Sequence, residues 1–212
     1  FYVLGERTDR SEMPSEVTAE TYRAYPIENY DTVACRAVTR AGVELLYYAS
    51  HAVREARGPI FSFEFEETTV SLENMEEGIV AQDKKGRLTR YGSPESGHPL
   101  HKLFQAVRAV REPVPVLCGP EAAAAQTLCV DGIQDSAPEV RTFPGSKIHL
   151  NSRQRRRWIK GLDRELYQCY LNGVLPGEKK LSWADKGRRI DLTNYRYYPG
   201  GIPPEEREGY PE

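Results

Sequence analysis

Three runs of alternating apolar and polar residues follow one another within residues 30–72, with turn-forming residues between them. The third run is the most regular, because phenylalanine occupies every second position from Phe61 to Phe65, and Val70 and Leu72 continue the same row. In a β-strand, this period of two places alternate side chains on opposite sides of the sheet. We therefore predict consecutive strands of one antiparallel sheet, with one packed side and one side that carries polar and acidic groups.

The same alternation predicts further strands on both sides of this stretch. A run near the N-terminus also fits a helix capped by Ser15, but its valine, threonine and tyrosine content favours a strand. In order, the predicted elements are strands at 16–25, 30–39 and 43–53, with a turn at 40–42, then the strand from Phe61, and a hairpin of 79–81 and 88–91 around a turn at 83–87.

Two helices are predicted in the second half of the chain, where apolar residues recur at helical spacing. The first begins near Leu100 and is stopped by Pro113 and Pro115. The second covers residues 119–137 and starts at Pro120, a residue that favours the first turn of a helix. Its run of alanines predicts a close contact between this helix and the sheet.

A third and longer helix is predicted after an extended stretch at 140–150. Asn151 or Ser152 is suited to cap its beginning, and Gly173 its end. The four arginines between 153 and 157 would then spread around the helix, so we interpret them as a solvated surface rather than a nucleic-acid-binding site. The predicted buried stripe consists of Trp158, Leu162, Leu166 and either Cys169 or Tyr170.

Strands gathered early and helices later indicate an α+β fold, with a largely antiparallel open β-sheet and helices packed on one face. We predict a single α+β domain over residues 1–193. Residues 194–212 are rich in tyrosine, proline and glycine, and we expect them to form an irregular C-terminal arm. The second face of the sheet is then left for a ligand or another subunit.

The composition is that of an ordinary folded domain. The chain has 212 residues, of which 39% are hydrophobic and 28% charged, and its formal net charge is −2. No net positive field would attract nucleic acid or an acidic membrane surface, and no apolar run is long enough to span a bilayer. The four cysteines lack C-x-x-C spacing, so we expect buried reduced thiols in a cytoplasmic protein, with no nucleic-acid or membrane partner.

Motifs for several chemistries are missing from the sequence. No two glycines have G-x-G spacing, which excludes the dinucleotide fingerprint. There is no G-x-S-x-G elbow, and the four histidines lack metal-ligand spacing. We therefore assign no catalytic, cofactor-binding or metal-binding residue.

Four polar residues on the predicted sheet are candidates for substrate binding. Arg36 would hold an anionic or hydroxyl-rich compound, although a solvated arginine is equally consistent with its position. Tyr48 and His51 lie in a predicted strand in which several side chains end in a hydroxyl or an imidazole group. His51 could exchange a proton with a sugar hydroxyl, or it could only form a hydrogen bond with a backbone carbonyl. Glu64 would accept hydrogen bonds from a ligand, but an exposed acidic side chain on a strand needs no such role.

The order of several segments in the first 150 residues carries a family resemblance. These segments are 16–24, Tyr30-Asp31-Thr32, Gly42-Val43, Tyr48-Ala49-Ser50-His51, Pro59, 61–66, and the helix of 119–137 that ends in Gln134-Asp135-Ser136-Ala137. Together they resemble the C-terminal domain of the Gfo/Idh/MocA-family oxidoreductases.

The resemblance implies an N-terminal Rossmann domain that binds NAD or NADP, followed by an α+β domain whose open sheet lines the substrate pocket and pairs subunits. The family's Glu-Lys-Pro lysine has no counterpart here, because the only Glu-Lys is followed by Lys180. Residues 1–5 look like the end of a helix of the missing part. We therefore expect a fragment that is inactive alone and binds no cofactor.

Two functions remain open from the sequence. The first is the substrate-binding and oligomerisation domain of an NAD(P)-dependent oxidoreductase that acts on a sugar, a polyol or a related hydroxylated compound. It would form a homo-oligomer through the open sheet face. The alternative is a non-catalytic scaffold or subunit-pairing domain that uses the same face.

Overall fold

The computed structural model describes residues 1–94 and 99–200, and contacts between these residues form two compact units. The first unit comprises Phe1–Arg54 and the described residues from Leu117 onward, and the second comprises Glu55–Val116. The strands are β1 (Pro14–Arg23), β2 (Thr32–Thr39), β3 (Glu44–Ser50), β4 (Phe61–Glu64), β5 (Thr68–Leu72), β6 (Ile79–Asp83), β7 (Leu88–Gly92), β8 (Arg141–Thr142), β9 (Ile148–Asn151), β10 (Arg156–Ile159) and β11 (Arg189–Asp191). The helices are α1 (His101–Arg111), α2 (Pro120–Ser136) and α3 (Leu162–Asn172), with 3₁₀ turns at Tyr2–Leu4 and Gly145–Lys147.

The first unit is organised around a sheet with the strand order β11-β1-β2-β3, in which every neighbouring pair is antiparallel. The short β8 adds to β1 in parallel. Ala19 lies opposite Cys35, and Cys35 lies opposite Tyr47. Gly42 has a φ of 82° in the predicted turn, and its N–H donates to the carbonyl of Thr39 at 2.9 Å. The α+β class and the largely antiparallel sheet are confirmed.

One face of this sheet is covered by α2. Val17 on β1 and Cys35 on β2 share a core with Ile133 of the helix. A Cβ atom added to Gly132 would lie 2.6 Å from Cγ1 of Val17, so there is no room for a side chain between helix and strand. Ala125 in the same helix is 0% exposed. The close helix-to-sheet contact predicted from the alanine run is confirmed.

The opposite face, which we expected to be open, is covered by α3 and neighbouring segments. Tyr22 on β1 packs with Phe143 and Trp183, at ring centroid distances of 5.4 and 4.9 Å. Leu162 and Leu166 of α3 belong to the same core. Adjacent positions along β1 are buried on both sides, a pattern that is typical of a strand between two layers. The helices of this unit therefore lie on both faces of the sheet, not on one.

The predicted third helix begins about ten residues later than expected, at α3, because β9 and β10 form a hairpin before it. Oδ1 of Asn151 accepts a hydrogen bond from the N–H of Gln154 at 3.3 Å, which is the bond of a helix cap, but here it closes the hairpin turn. Trp158 lies opposite His149 on the paired strand. The predicted end of the helix at Gly173 is confirmed by its φ of 62°.

The second unit contains a separate antiparallel sheet with the order β4-β5-β6-β7. The prediction that the Phe61 strand continues the first sheet is therefore wrong. Phe61 lies opposite Leu72 and Phe63 opposite Val70, so the apolar row runs across a hairpin instead of along one strand. Alternation along a strand fixes which side each residue faces, but it does not identify the neighbouring strand.

Helix α1 of the second unit confirms the helix predicted from residue 100. Its apolar residues remain exposed in the structure, with Phe104 at 57% and Val110 at 88%. None of the helices in the described ranges is sufficiently long and apolar to cross a bilayer. Cys35, Cys129 and Cys169 are buried free thiols.

The predicted arm lies partly outside the described residues. Residues 194–200 contain neither helix nor strand, and residues 201–212 are not among the described ones. Tyr195 donates from its hydroxyl to Oδ2 of Asp135 on α2 at 2.6 Å. The boundary at 193 stays a prediction.

Candidate functional site

The four predicted substrate-binding residues lie in two units of the chain. Arg36 on β2 and Tyr48 on β3 point to the same side of the first sheet, because Tyr48 lies opposite Ala34, two positions before Arg36. His51 follows β3 and is exposed. Glu64 ends β4 in the second unit and is also exposed. Of the four, the structure brings together Arg36 and Tyr48.

Arg36 is held by three partners. Its Nη1 forms an ion pair with Glu178, its Nη2 donates to the carbonyl of Gly173 at 3.0 Å, and its Nε lies 2.9 Å from a carboxylate oxygen of Glu44. The hydrogen bond with Glu178 raises the pKa of Arg36. Burial opposes ionisation of Glu178, but the guanidinium outweighs it and lowers the pKa of that carboxyl. Arg36 therefore anchors the segment after α3 to the sheet.

Tyr48 anchors the same segment. Its hydroxyl lies 2.9 Å from the carbonyl of Val174 and 3.4 Å from the carbonyl of Cys169. Burial raises the pKa of Tyr48, so the hydroxyl stays protonated and donates. The two Nη atoms of Arg36 and the hydroxyl of Tyr48 are thus engaged with the protein itself. The buried Nε of Arg36 lies close to Glu44 but makes no hydrogen bond.

His51 is the predicted residue whose side chain remains available on the first unit. Its backbone N–H donates to the carbonyl of Asp31 at 2.8 Å, which fixes the chain at the end of β3. The Asp31 carboxylate is buried and accepts from the N–H groups of Ala24 and Tyr25 at 2.7 and 2.8 Å. A rigid bend therefore supports an exposed imidazole.

Sequence reasoning missed Glu20, a buried carboxyl group in the described part of the chain. It lies in β1 and is 2% exposed. It accepts hydrogen bonds from the Tyr22 hydroxyl at 2.8 Å and from the N–H of Gly177 at 3.0 Å. Burial raises the pKa of Glu20 to about 7, although these two hydrogen bonds act in the opposite direction.

Glu20 borders an open cleft of about 270 Å³ at the outer edge of β1. This edge pairs with β11 before the cleft and with β8 after it. At the gap, the Ser136 hydroxyl accepts from the N–H of Ala19 at 2.7 Å and so replaces a strand partner. Arg141 and Asp185, which form an ion pair, lie on the cleft wall.

The chemistry available in this cleft is limited. Glu20 can gain or lose a proton near neutral pH, but it is shielded from solvent and bonded to two donors. In the described ranges, no group of three or more His, Cys, Asp or Glu residues could hold a metal ion. Within the described residues, the cleft therefore provides one titratable carboxyl group and no metal centre.

One signal in the sequence could have identified Glu20. It stands between Ala19 and Thr21, in a stretch, residues 17–22, whose other members are apolar, aromatic or small. A carboxylate in such a strand has to find hydrogen-bond donors. Tyr22, two positions later on the same face, could be paired with it from spacing, but Gly177, which is 157 residues away, could not.

Comparison with known proteins finds similarity among solved structures only. No protein-family model matches the chain, and no curated protein matches it either. UDP-N-acetylglucosamine 3-dehydrogenase from Acidithiobacillus ferrooxidans shares 17% identity over 56% of this chain and 40% of its own, with a TM-score of 0.46.

Two further structures are similar to the same extent. An oxidoreductase from Thermotoga maritima shares 15% identity, covering 57% of this chain and 38% of its own, with a TM-score of 0.44. An oxidoreductase from Agrobacterium radiobacter, solved with NAD+, L-tartaric acid and magnesium, shares 13% identity, covering 58% of this chain and 40% of its own, with a TM-score of 0.43. The chain spans 38–40% of the length of these three proteins.

Proposed function

We propose that this chain is the substrate-binding and oligomerisation domain of an NAD(P)-dependent oxidoreductase that acts on a sugar, a polyol or a related hydroxylated compound. The nicotinamide nucleotide would bind to a domain outside this sequence. The observation that carries the proposal is the order of elements. β1, the β2–β3 hairpin with its Gly42 turn, β4 and α2 occupy the segments on which the resemblance to the Gfo/Idh/MocA-family C-terminal domain rests.

Within this function, His51 is the residue best placed to contact substrate. Its imidazole is exposed at the end of β3, and the buried Asp31 fixes the backbone beside it. Arg36 and Tyr48 would act indirectly, by holding the segment after α3 in place. Subunit pairing would use the exposed part of the sheet around Val43 and Tyr47.

Thermal-shift titration of the chain tests two statements of the proposal: that this domain binds the hydroxylated substrate, and that the nicotinamide nucleotide binds elsewhere. A sugar, polyol or sugar acid from a small panel should raise the melting temperature, because a ligand that binds only the folded state stabilises it. His51→Ala should abolish this shift, and the exposed Arg40→Ala should retain it. NAD, NADP and their reduced forms should have no effect. Stabilisation by low-micromolar nucleotide would refute the proposal.

A non-catalytic scaffold is the second candidate. It is favoured by the internal contacts of Arg36 and Tyr48, which leave fewer polar groups for a ligand. A scaffold predicts no response to any panel compound. The coding sequence upstream of the Phe1 codon separates the two candidates further, since the oxidoreductase requires a glycine-rich strand-turn-helix and a Glu-Lys-Pro there.

A further inference from the structure

Two β-hairpin tips in this chain carry opposite charges. The basic tip is the turn between β9 and β10 with the residues on either side of it, 150–157. The acidic tip is the end of β4 and the turn into β5, residues 64–67. The hairpin at 148–159 replaces the helix around which the arginines were expected to spread. The four arginines are instead concentrated at one place.

The basic tip belongs to a strongly positive segment. Residues 147–164 contain seven lysines and arginines and one acidic residue, whereas the whole chain has a net charge of −2. Arg156 and Arg157 attach the hairpin to the segments that follow β1 and β3, by donating to backbone carbonyls there at 2.7–3.1 Å. Arg153 and Arg155 are exposed, and within residues 1–94 and 99–200 neither has an ion-pair partner. Two of the arginines are therefore structural and two are presented to solvent.

The basic tip is held in one conformation. The side chains of Asn151 and Gln154 are bonded to each other at 3.0 Å across the turn. Behind them, the rings of His149 and Trp158 stack with centroids 5.5 Å apart. Leu150, between these groups, is 56% exposed and adds an apolar contact surface. Little backbone entropy is lost when such a preorganised turn binds a partner.

The acidic tip has a matching composition. Glu64, Glu66 and Glu67 are all exposed, and Phe65 among them is 51% exposed. The turn is closed by the N–H of Phe65, which donates to the carbonyl of Thr68 at 2.9 Å. Glu67 pairs with Lys84 at 2.9 Å, whereas Glu64 and Glu66 have no ion-pair partner in the described part of the chain.

We propose that the basic tip of one molecule binds the acidic tip of a second copy of this chain. Each tip offers unpaired charges of one sign around one exposed apolar side chain, Leu150 or Phe65, so the two surfaces complement each other. A second copy is favoured over a nucleic acid because the chain as a whole is acidic and carries the complementary tip itself. This contact does not depend on the proposed oxidoreductase function, and it uses a different surface from the sheet face around Tyr47.

The contact joins different surfaces on the two molecules, so it is head-to-tail. Such a contact leaves one basic and one acidic tip free at the ends of the assembly unless the assembly closes. Self-association should therefore increase with protein concentration. It should also weaken as ionic strength rises to physiological values, since the charges are exposed and easily screened.

Sedimentation velocity of the whole chain and two charge-reversed variants tests this proposal. The basic variant carries Glu64→Arg and Glu66→Arg, and the acidic variant carries Arg153→Glu and Arg155→Glu. Each variant alone should associate at least about tenfold more weakly than the wild type, because attraction becomes repulsion. An equimolar mixture should recover association, since each variant supplies the charge that the other lacks. Arg40→Glu, at an exposed site elsewhere, should behave like the wild type.

Three outcomes would overturn the proposal: a monomer at low salt, association that the charge reversals leave unchanged, or a mixture that fails to recover it. Association lost in Tyr47→Glu but retained in both charge-reversed variants would instead support pairing through the sheet face. Circular dichroism of each variant confirms that the fold is intact. Recovery in the mixture is itself evidence of folding, because an unfolded variant cannot complement.

Discussion

The Tyr22 hydroxyl donates a hydrogen bond to the Glu20 carboxyl at 2.8 Å, between two residues of the same strand that face the same side of the sheet. The same hydroxyl accepts from the N–H of Asp185 at 3.2 Å. Together with the N–H of Gly177, which donates to Glu20, these contacts hold the segment after α3 against β1.

The protonation of Glu20 should make stability depend on pH. Its pKa in the folded protein is about 7, against an ordinary value of 4.5, so the folded state binds an extra proton between these values. The stabilising effect is complete below pH 4.5 and is lost as pH rises through 7. Glu20→Gln keeps an acceptor without the charge, and it should stabilise the protein by roughly 2–3 kcal/mol at pH 8.

Urea denaturation at pH 5 and pH 8 measures this effect. The free energy of unfolding of the wild type should fall relative to that of Glu20→Gln as pH rises from 5 to 8. A difference between the two proteins that stays constant across this range would show that Glu20 has an ordinary pKa in the folded state.

Removing the Tyr22 hydroxyl should destabilise the protein more at high pH than at low pH. Tyr22→Phe deprives the Glu20 carboxylate of a donor, and it should cost roughly 1–3 kcal/mol at pH 8. The matched control is Tyr47→Phe, whose ring is 55% exposed and which should change stability little. In the Glu20→Gln background the cost should shrink, because a neutral acceptor loses less. Equal costs in both backgrounds would rule out coupling between the two residues.

The Arg36–Glu178 pair should matter more than an exposed ion pair. Its side chains are 23% and 30% exposed, and Arg36 also donates to the carbonyl of Gly173. Arg36→Ala should destabilise by roughly 2–4 kcal/mol, because Glu178 loses its partner in a partly buried position. Arg189→Ala breaks an ion pair with Glu16 whose arginine is 74% exposed, and it should cost roughly 0–1 kcal/mol. Chemical denaturation of both variants measures the costs, and similar values would contradict the anchoring role of Arg36.

Gly132 should not tolerate even a methyl group. Its added Cβ would lie 2.6 Å from Val17 and 2.8 Å from Leu192. Overpacking costs roughly 1–3 kcal/mol and exceeds the roughly 1 kcal/mol that alanine gains over glycine in a helix, so Gly132→Ala should destabilise. Gly145→Ala has open space around the new atom and is the matched control. Thermal denaturation of both variants measures the effect. A melting temperature of Gly132→Ala above that of the wild type would show that α2 and β1 can move apart enough to admit the methyl group at little cost.

The sequence was sufficient for elements whose pattern is local. Alternation predicted β2 and β3, and the structure confirms both as strands of one antiparallel pair. Pro120 and the spacing of small residues predicted α2 and its buried side. These features depend only on the period of the chain and on short turns, both of which are visible in a window of a few residues.

The remaining features depend on partners that are distant in sequence. Asn151 makes the same hydrogen bond in a helix cap and in a hairpin turn, so only the pairing of β9 with β10 decides between them. Arg36 looked available for a ligand because Glu178, its partner, is 142 residues away. Burial of Glu20 likewise depends on Gly177. Candidate sites on a sheet face therefore cannot be separated from structural anchors until the covering layer is known.

The pairing of β1 with β11 has a consequence for biosynthesis. Val17 pairs with Ile190, so almost the entire described chain must leave the ribosome before the first strand acquires its outer neighbour. Until then, the second unit can form from its contiguous residues, whereas in the sheet of β1, β2 and β3 the outer edge of β1 has no β11 to pair with. Contacts of such long range slow folding, so the outer edge of β1 stays exposed on the nascent chain until synthesis has nearly reached residue 190.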